Sequence, residues 1–216
     1  MRADDVYARR FPEGETRAKD RIWRVIARWL ARYVPADGVV LDLACDRGYF
    51  IRNITARDRW ATDLRDMSAD LGDGIHFVRS DGLRALEVLP VAAFDLVFTS
   101  NYLEHLASPD AVVEQLRVMR ELLRPGGRAL VLQPNIALVG GAYWDFIDHR
   151  VALTDRSLVE AAELAGLRTE RVYRHFLPYS TKGRLPRSPL LVQAYLAVPP
   201  MWRLLGKQTL YVGARA

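Results

Sequence analysis

Short apolar runs alternate along this chain with amphipathic stretches, the rhythm of strands and helices taken in turn. Between Asp20 and Val34 apolar residues recur at Ile22, Trp23, Ile26, Trp29, Leu30 and Tyr33, a helical period with arginines on the opposite side. Pro35-Ala36-Asp37-Gly38 ends that helix and turns the chain into Val39-Val40-Leu41, a run suited to a strand buried on both faces of a parallel sheet. Trp60 to Thr62, Ile75 to Val78, Phe94 to Thr99 and Arg128 to Leu132 read as further strands. The pattern predicts a first core helix over Phe50 to Ala56, a frayed turn of helix after Asp63, and a short helix over Gly82 to Leu89. Ser108 caps a longer helix with Pro109 at its first position. Thr154 to Gly166 is a last core helix, followed by strands over Thr169 to His175 and Thr209 to Gly213. The first 19 residues are polar and are expected to order only on a ligand.

Three of these strands end in acids. Asp42 closes the first, Asp63 the second 21 positions on, and Asp81, followed by Gly82, the third. That spacing suits a carboxylate bonded to ribose hydroxyls, and acids at successive strand ends line the crevice where open α/β sheets bind ligands. After Asp42 the small segment Ala44, Cys45, Asp46, Arg47 and Gly48 brings backbone close to a nucleotide-like ligand.

Together these stretches resemble the class I S-adenosylmethionine (SAM) dependent methyltransferases. The first motif of that family, hydrophobic-Asp-x-Gly-x-Gly-x-Gly, is matched by VVLDLACDRG with Ala44 and Asp46 at the first two glycine places and Gly48 at the third. ATDL, SDGL, FDLVFTSNYLEHL and LRPGGRALVLQPN follow in the family's order over residues 38 to 135. The resemblance implies an α/β, Rossmann-like seven-stranded sheet, mainly parallel, with helices on both faces and an antiparallel last strand paired with the sixth. It implies SAM as cofactor and S-adenosylhomocysteine as product. Asp42, with Ala44, Cys45 and Gly48 of the turn, then faces the methionine end, and Asp63 with Leu64 the ribose. Asp81 and Gly82 lie on the adenine side, and Ser100 and Asn101 near the sulfonium. RHFLPYSTKGRLP and WRLLGKQTL resemble methyltransferases of polysaccharide or secondary-metabolite pathways, which implies a small-molecule, sugar-like acceptor methylated on oxygen or nitrogen. A SAM-fold protein with a different reaction, or a degenerate SAM-free partner protein, are the rival readings. NAD chemistry is disfavoured, because ACDRGY cannot supply a three-glycine pyrophosphate turn.

One departure stands out. Asp46 replaces a glycine, losing φ freedom and placing a carboxylate near the methionine carboxylate of SAM. Arg47 is the expected offset; the rival expectation is that Asp46 bonds the methionine ammonium.

SAM is already activated, so alignment and water exclusion do most of the work and a base is needed only where the acceptor must lose a proton. His149 and His105 are the candidates, with Asp148 or Asp145 orienting His149. Tyr143, Trp144, Phe146, Phe176 and Tyr179 could wall the acceptor site or serve the core. His76 and His175 fall within strands. Four scattered histidines lack metal-ligand spacing, so no metal is expected.

The length of 216 residues suits one methyltransferase domain over 1–216: a helical segment 1–37, a core 38–176, an insertion 177–206 and a final strand 207–216. The insertion carries Pro186, Pro189, Pro199 and Pro200. It could cap the pocket, form a homodimer contact, rest on a membrane surface, or simply pack as a helical extension. The single cysteine, Cys45, excludes a disulfide framework. Arginines dominate the net charge of +5 but are scattered, which argues against a nucleic-acid partner. No signal peptide or membrane-spanning run is apparent, so integral membrane contact is not expected and the expected location is cytoplasmic.

Overall fold

The computed structural model describes residues 13–179 and 188–216. The polar residues 1–12 and the part of the insertion that includes Pro186 lie outside the described residues. Seven strands form one sheet in the order β3-β2-β1-β4-β5-β7-β6, with β1 Val39–Leu43, β2 Asp58–Asp63, β3 His76–Arg79, β4 Phe94–Ser100, β5 Leu123–Pro134, β6 Leu167–Leu177 and β7 Gln208–Arg215. β3, β2, β1, β4 and β5 run parallel, whereas β7 is antiparallel to both β5 and β6. The expected pairing of the last two strands is present, and β7 also wedges itself against β5.

Alternation along the central strands divides the core into two layers. On β4, Leu96 and Phe98 face one side and Val97 the other; on β5, Leu130 and Leu132 oppose Ala129 and Val131. Strands buried on both faces need apolar residues at every position, which is why these segments read as continuous runs. One layer is covered by α3 (Pro109–Leu122) and α5 (Asp155–Leu164), α2 (Ser68–Leu71) and α4 (Ile136–Val139) being single turns. Ser108 Oγ accepts from the Ala111 amide at 3.2 Å, and Thr154 and Ser157 cap α5 reciprocally.

The other layer is covered by α1 (Glu13–Leu30), which begins earlier than the apolar period suggests. Residues 13–19 are part of this helix. The insertion supplies α6 (Pro189–Ala197) and α7 (Pro199–Leu205). Its helices pack on α1 and β6: Trp202 meets Trp29 at 5.7 Å, and the Tyr195 hydroxyl donates to the Phe176 carbonyl at 3.1 Å.

The expected helix over Phe50 to Ala56 does not form; only a 3-10 turn, Ile51–Asn53, is present. Asn53 Nδ2 donates to the Tyr49 carbonyl at 2.9 Å, the acceptor a helix would offer to the Asn53 amide, which bonds the Phe50 carbonyl instead. Asp42 Oδ2 accepts from the Ile51 amide at 3.3 Å, a donor that a helix starting here would leave without a backbone partner. The Gly82 segment is likewise a 3-10 turn, Gly82–Glu87.

Candidate active site

The carboxyl ends of β1, β2 and β4 open onto a cavity of about 190 Å³. Asp42, Ala44, Cys45 and Asp46 wall one side, Asp63 the next, and Ser100 and Asn101 the third. Lys19 and Trp23 of α1 reach over it, and Arg65, Tyr102 and His105 complete the rim. A larger, shallower groove of about 570 Å³ lies along α3 between Leu83, Glu114, Arg117 and Leu164, away from the strand ends. The smaller cavity carries the chemistry, because open α/β sheets bind ligands beyond the carboxyl ends of their strands.

The turn after β1 keeps a glycine-type backbone with fewer glycines. Ala44 and Asp46 have φ of 55° and 50°, in the left-handed region, and Gly48 has φ of 64°. Across the cavity Asn101 has φ of 49°. Each non-glycine there costs roughly 1–2 kcal/mol, and such strain gathers where a ligand needs the backbone in one shape. The surroundings hold it: the Asp46 amide donates to Asp63 Oδ2 at 2.9 Å, and the Cys45 amide to the Thr62 carbonyl at 2.9 Å. At Gly48 a Cβ would sit 2.1 Å from Leu71 Cδ2, so any side chain there would have to displace Leu71 as well as accept a φ of 64°.

The expected partner of Asp46 is turned elsewhere: Arg47 pairs with Asp70 at 3.5 Å. Instead Arg65 reaches Asp46 at 3.0 Å and Lys19 reaches it at 3.5 Å. Arg65 also bonds Asp63 Oδ1 through its amide and its Nε, at 3.0 and 3.2 Å. Burial draws Lys19 below its ordinary range, with Asp46 pulling against it. Asp42 differs from its neighbours. Burial lifts its carboxyl well above the usual range, the Ile51 amide opposes this only in part, and the charges of Asp63 and Asp46 add to it. Burial also raises the Cys45 thiol, which suits a small packed residue more than a nucleophile.

Beside this cavity lies a histidine corner. His105 ends the 3-10 turn Leu103–His105 and lines the cavity rim. Its Nδ1 lies 3.1 Å from the Asp148 carbonyl and 3.5 Å from that residue's carboxylate. A carbonyl only accepts, so Nδ1 carries the proton and Nε2 the lone pair. The loop of residues 146–151 is stitched on by backbone: the Arg150 and Val151 amides both donate to the Glu104 carbonyl, at 2.8 and 3.1 Å. This sets the His149 ring 5.0 Å from that of His105, against Tyr143 and Phe146. His149 is outside the cavity lining, and His105 is the histidine at its rim. Asp148, one of the two acids expected to orient His149, reaches His105. Glu104 is 2% exposed, and burial pushes its carboxyl up to about 7, the nearby His105 opposing.

The remaining candidates fall around this frame. Asp81 Oδ1 caps the turn after β3, accepting from the Leu83 amide at 3.0 Å. Gly82 is packed so closely that a Cβ would meet the Tyr102 hydroxyl at 2.6 Å and Gln115 Oε1 at 2.7 Å. Neither they nor Gly48 belong to the cavity lining, and the Leu64 side chain is 61% exposed. Tyr143 and Phe176 are fully buried in the fold, whereas Trp144 is exposed. Sequence reasoning missed Lys19, Arg65 and Glu104, whose roles come from tertiary neighbours.

The chain belongs to the methyltransferase domain family, which matches residues 16–172, and its seven-stranded sheet is the Rossmann-like fold of the SAM-dependent class I methyltransferases. A relative from Encephalitozoon cuniculi assigned as a methyltransferase is 27% identical over 136 residues, 59% of this chain and 62% of that protein. The chain thus spans less than two thirds of that relative's length. The Haloferax volcanii methyltransferase solved in complex with the Trm112 activator superposes with a TM-score of 0.72 at 18% identity, covering 100% of this chain and 98% of that one. A SAM dependent methyltransferase from Archaeoglobus fulgidus gives 0.66 at 18% identity, over 99% and 100% of the two chains. At such identities the structural likeness is one of fold. No helix among the described residues is long and apolar enough to cross a membrane.

Proposed function

We propose that this chain transfers a methyl group from SAM to an oxygen or nitrogen of a small, sugar-like acceptor. The observation that carries the reading is one cavity that joins strand-end acids, a strained backbone turn and a histidine at its rim. The residues suit the cofactor. Asp63 accepts the ribose hydroxyls, with Leu64 beside it, and Asp81 and Gly82 shape the adenine side. The turn of Ala44, Cys45 and Gly48 receives the methionine end, where the cationic ammonium relieves the buried Asp42. Ser100 and Asn101 border the sulfonium. SAM supplies an activated methyl group, and the protein aligns the acceptor and excludes water. Proton removal from the acceptor falls to the corner of His105, His149 and Asp148, with His105 at the cavity wall and the other two positioning it.

Titration calorimetry with SAM tests the cofactor assignment. Asp63→Ala is expected to weaken binding by about 1–3 kcal/mol, the cost of hydroxyls left without a charged acceptor. Unchanged affinity in that variant contradicts the assignment.

A further inference from the structure

We propose that Glu104, His105 and His149 form a binding site for one divalent transition-metal ion of the Zn²⁺ type, at the acceptor wall of the cavity. One donor atom from each of the three lies within 4.8 Å of the others. Two imidazoles and one carboxylate are a donor set that suits zinc with a coordination position left open. Mg²⁺ prefers an all-oxygen shell and is a poor match.

A second, independent observation points to a ligand. Glu104 Oε2 is fully buried and has no hydrogen-bond partner within the fold. A carboxylate oxygen buried in that way is costly, and a cation is the ligand that removes the cost.

The surroundings organise the donors as metal sites require. The Nδ1 proton of His105 is committed to the Asp148 carbonyl, so Nε2 is left to ligate. The paired amides of Arg150 and Val151 on the Glu104 carbonyl tie the two chain segments together, so that residues 45 positions apart in sequence share one corner. A tetrahedral ion with bonds of about 2.0–2.1 Å sets its ligand atoms about 3.3 Å apart, so closure asks for side-chain rotations of roughly 1–1.5 Å. His105 also lines the cavity, which brings the site to the cavity rim. When an ion is bound there it would acidify an acceptor hydroxyl, whose proton passes to solvent, in place of direct proton removal by His105. That last role rests on the methyl-transfer reading; the metal site itself does not.

The test uses the full chain without a histidine tag, stripped with a chelator and titrated with Zn²⁺ against a chromophoric indicator, with no SAM or acceptor present. One equivalent is expected to bind, and Glu104→Gln and His149→Ala to weaken it by about 100-fold or more. SAM affinity, measured separately, should persist in both variants, so loss of metal is distinguished from loss of fold or failure of the cofactor assignment. Should Glu104→Gln fail to fold, His105→Ala, whose side chain is 33% exposed, carries the same expectation. Absence of stoichiometric Zn²⁺ binding, variants that bind Zn²⁺ like the wild type, or displacement of Zn²⁺ by equimolar Mg²⁺ each overturn the proposal.

Discussion

The strand-end wall of the cavity and the histidine corner beside it handle buried charge in opposite ways. On the strand-end wall, proposed for the cofactor, Asp46 and Asp63 share Arg65, and Lys19 arrives from α1 to add a second cation for Asp46. Those acids are satisfied before any ligand enters. On the side of the histidine corner, the buried Glu104 carboxyl makes no ion pair with a lysine or arginine among the described residues, and burial favours its protonated form. Asp42, at the back of the strand-end wall, resembles Glu104 more than it resembles its own neighbours. An acid that already has its cation shapes a site; an acid that lacks one is suited to receive a cation or hold a proton. The fold therefore separates acids that position from acids that respond.

The strongest way to break this contrast is at the histidine corner. His105→Ala should lower methyl transfer by on the order of 10²-fold or more while SAM affinity barely moves. His149→Ala should also slow turnover and, because it acts through His105, should displace the pH profile of kcat as well as lower its plateau. If His149→Ala alone abolished transfer while His105→Ala kept the full rate, the cavity-facing assignment would be reversed.

A smaller effect sharpens the position of Asp42. Its folded carboxyl titrates well above the ordinary value of 3.8, so the folded protein keeps this proton after the unfolded chain has lost it. Stability from this group is therefore complete below that ordinary value and declines as pH rises towards the raised one. Asp42→Asn removes the titration while its amide oxygen can still accept from Ile51. Between pH 4 and 8 the variant's melting temperature should fall less with rising pH than that of the wild type. Parallel profiles would show that Asp42 is not a responding acid.

How much of this was legible in the sequence depends on the range of the interactions. β4 and β5 were readable because burial on both faces demands unbroken apolar runs, and the starts of α3 and α5 because Ser108 and Thr154 act within three residues of themselves. The three strand-end acids were readable for the same local reason. The helix expected at Phe50 is cut to a 3-10 turn where the Asn53 side chain takes the Tyr49 carbonyl and its amide bonds Phe50 instead, a competition that the apolar period does not register. Lys19 sat in a segment that looked merely polar, and only the packing of α1 through Trp23 against Phe98 carries it to Asp46. Glu104 carried no signal of its own beside His105 in LEHL. Its burial depends on the loop of residues 146–151 folding over it.

The smallest expected effect concerns Asp46, where the contrast makes its finest distinction. A lone carboxylate facing the methionine carboxylate of SAM would repel it, and Asp46→Gly would then tighten binding tenfold or more. The structure surrounds Asp46 with Arg65 and Lys19, so that repulsion is largely neutralised already. Removing the carboxylate leaves two cations near the methionine carboxylate, and SAM affinity should rise by less than about tenfold, the gain shrinking with salt. Stability should change little. Glycine relieves a residue at φ 50°, worth roughly 1–2 kcal/mol, but adds roughly 0.5–1 kcal/mol of chain entropy and loses two part-exposed ion pairs worth roughly 0–1 kcal/mol each. The companion variant Arg65→Ala exposes Asp46 and should weaken SAM binding, whereas the double variant with Asp46→Gly should recover part of the loss. Calorimetry on the four proteins at low and high salt reads all of these terms. A fall in affinity for Asp46→Gly alone would instead mark Asp46 as a ligand of the methionine ammonium, and the strand-end wall would then hold a responding acid of its own.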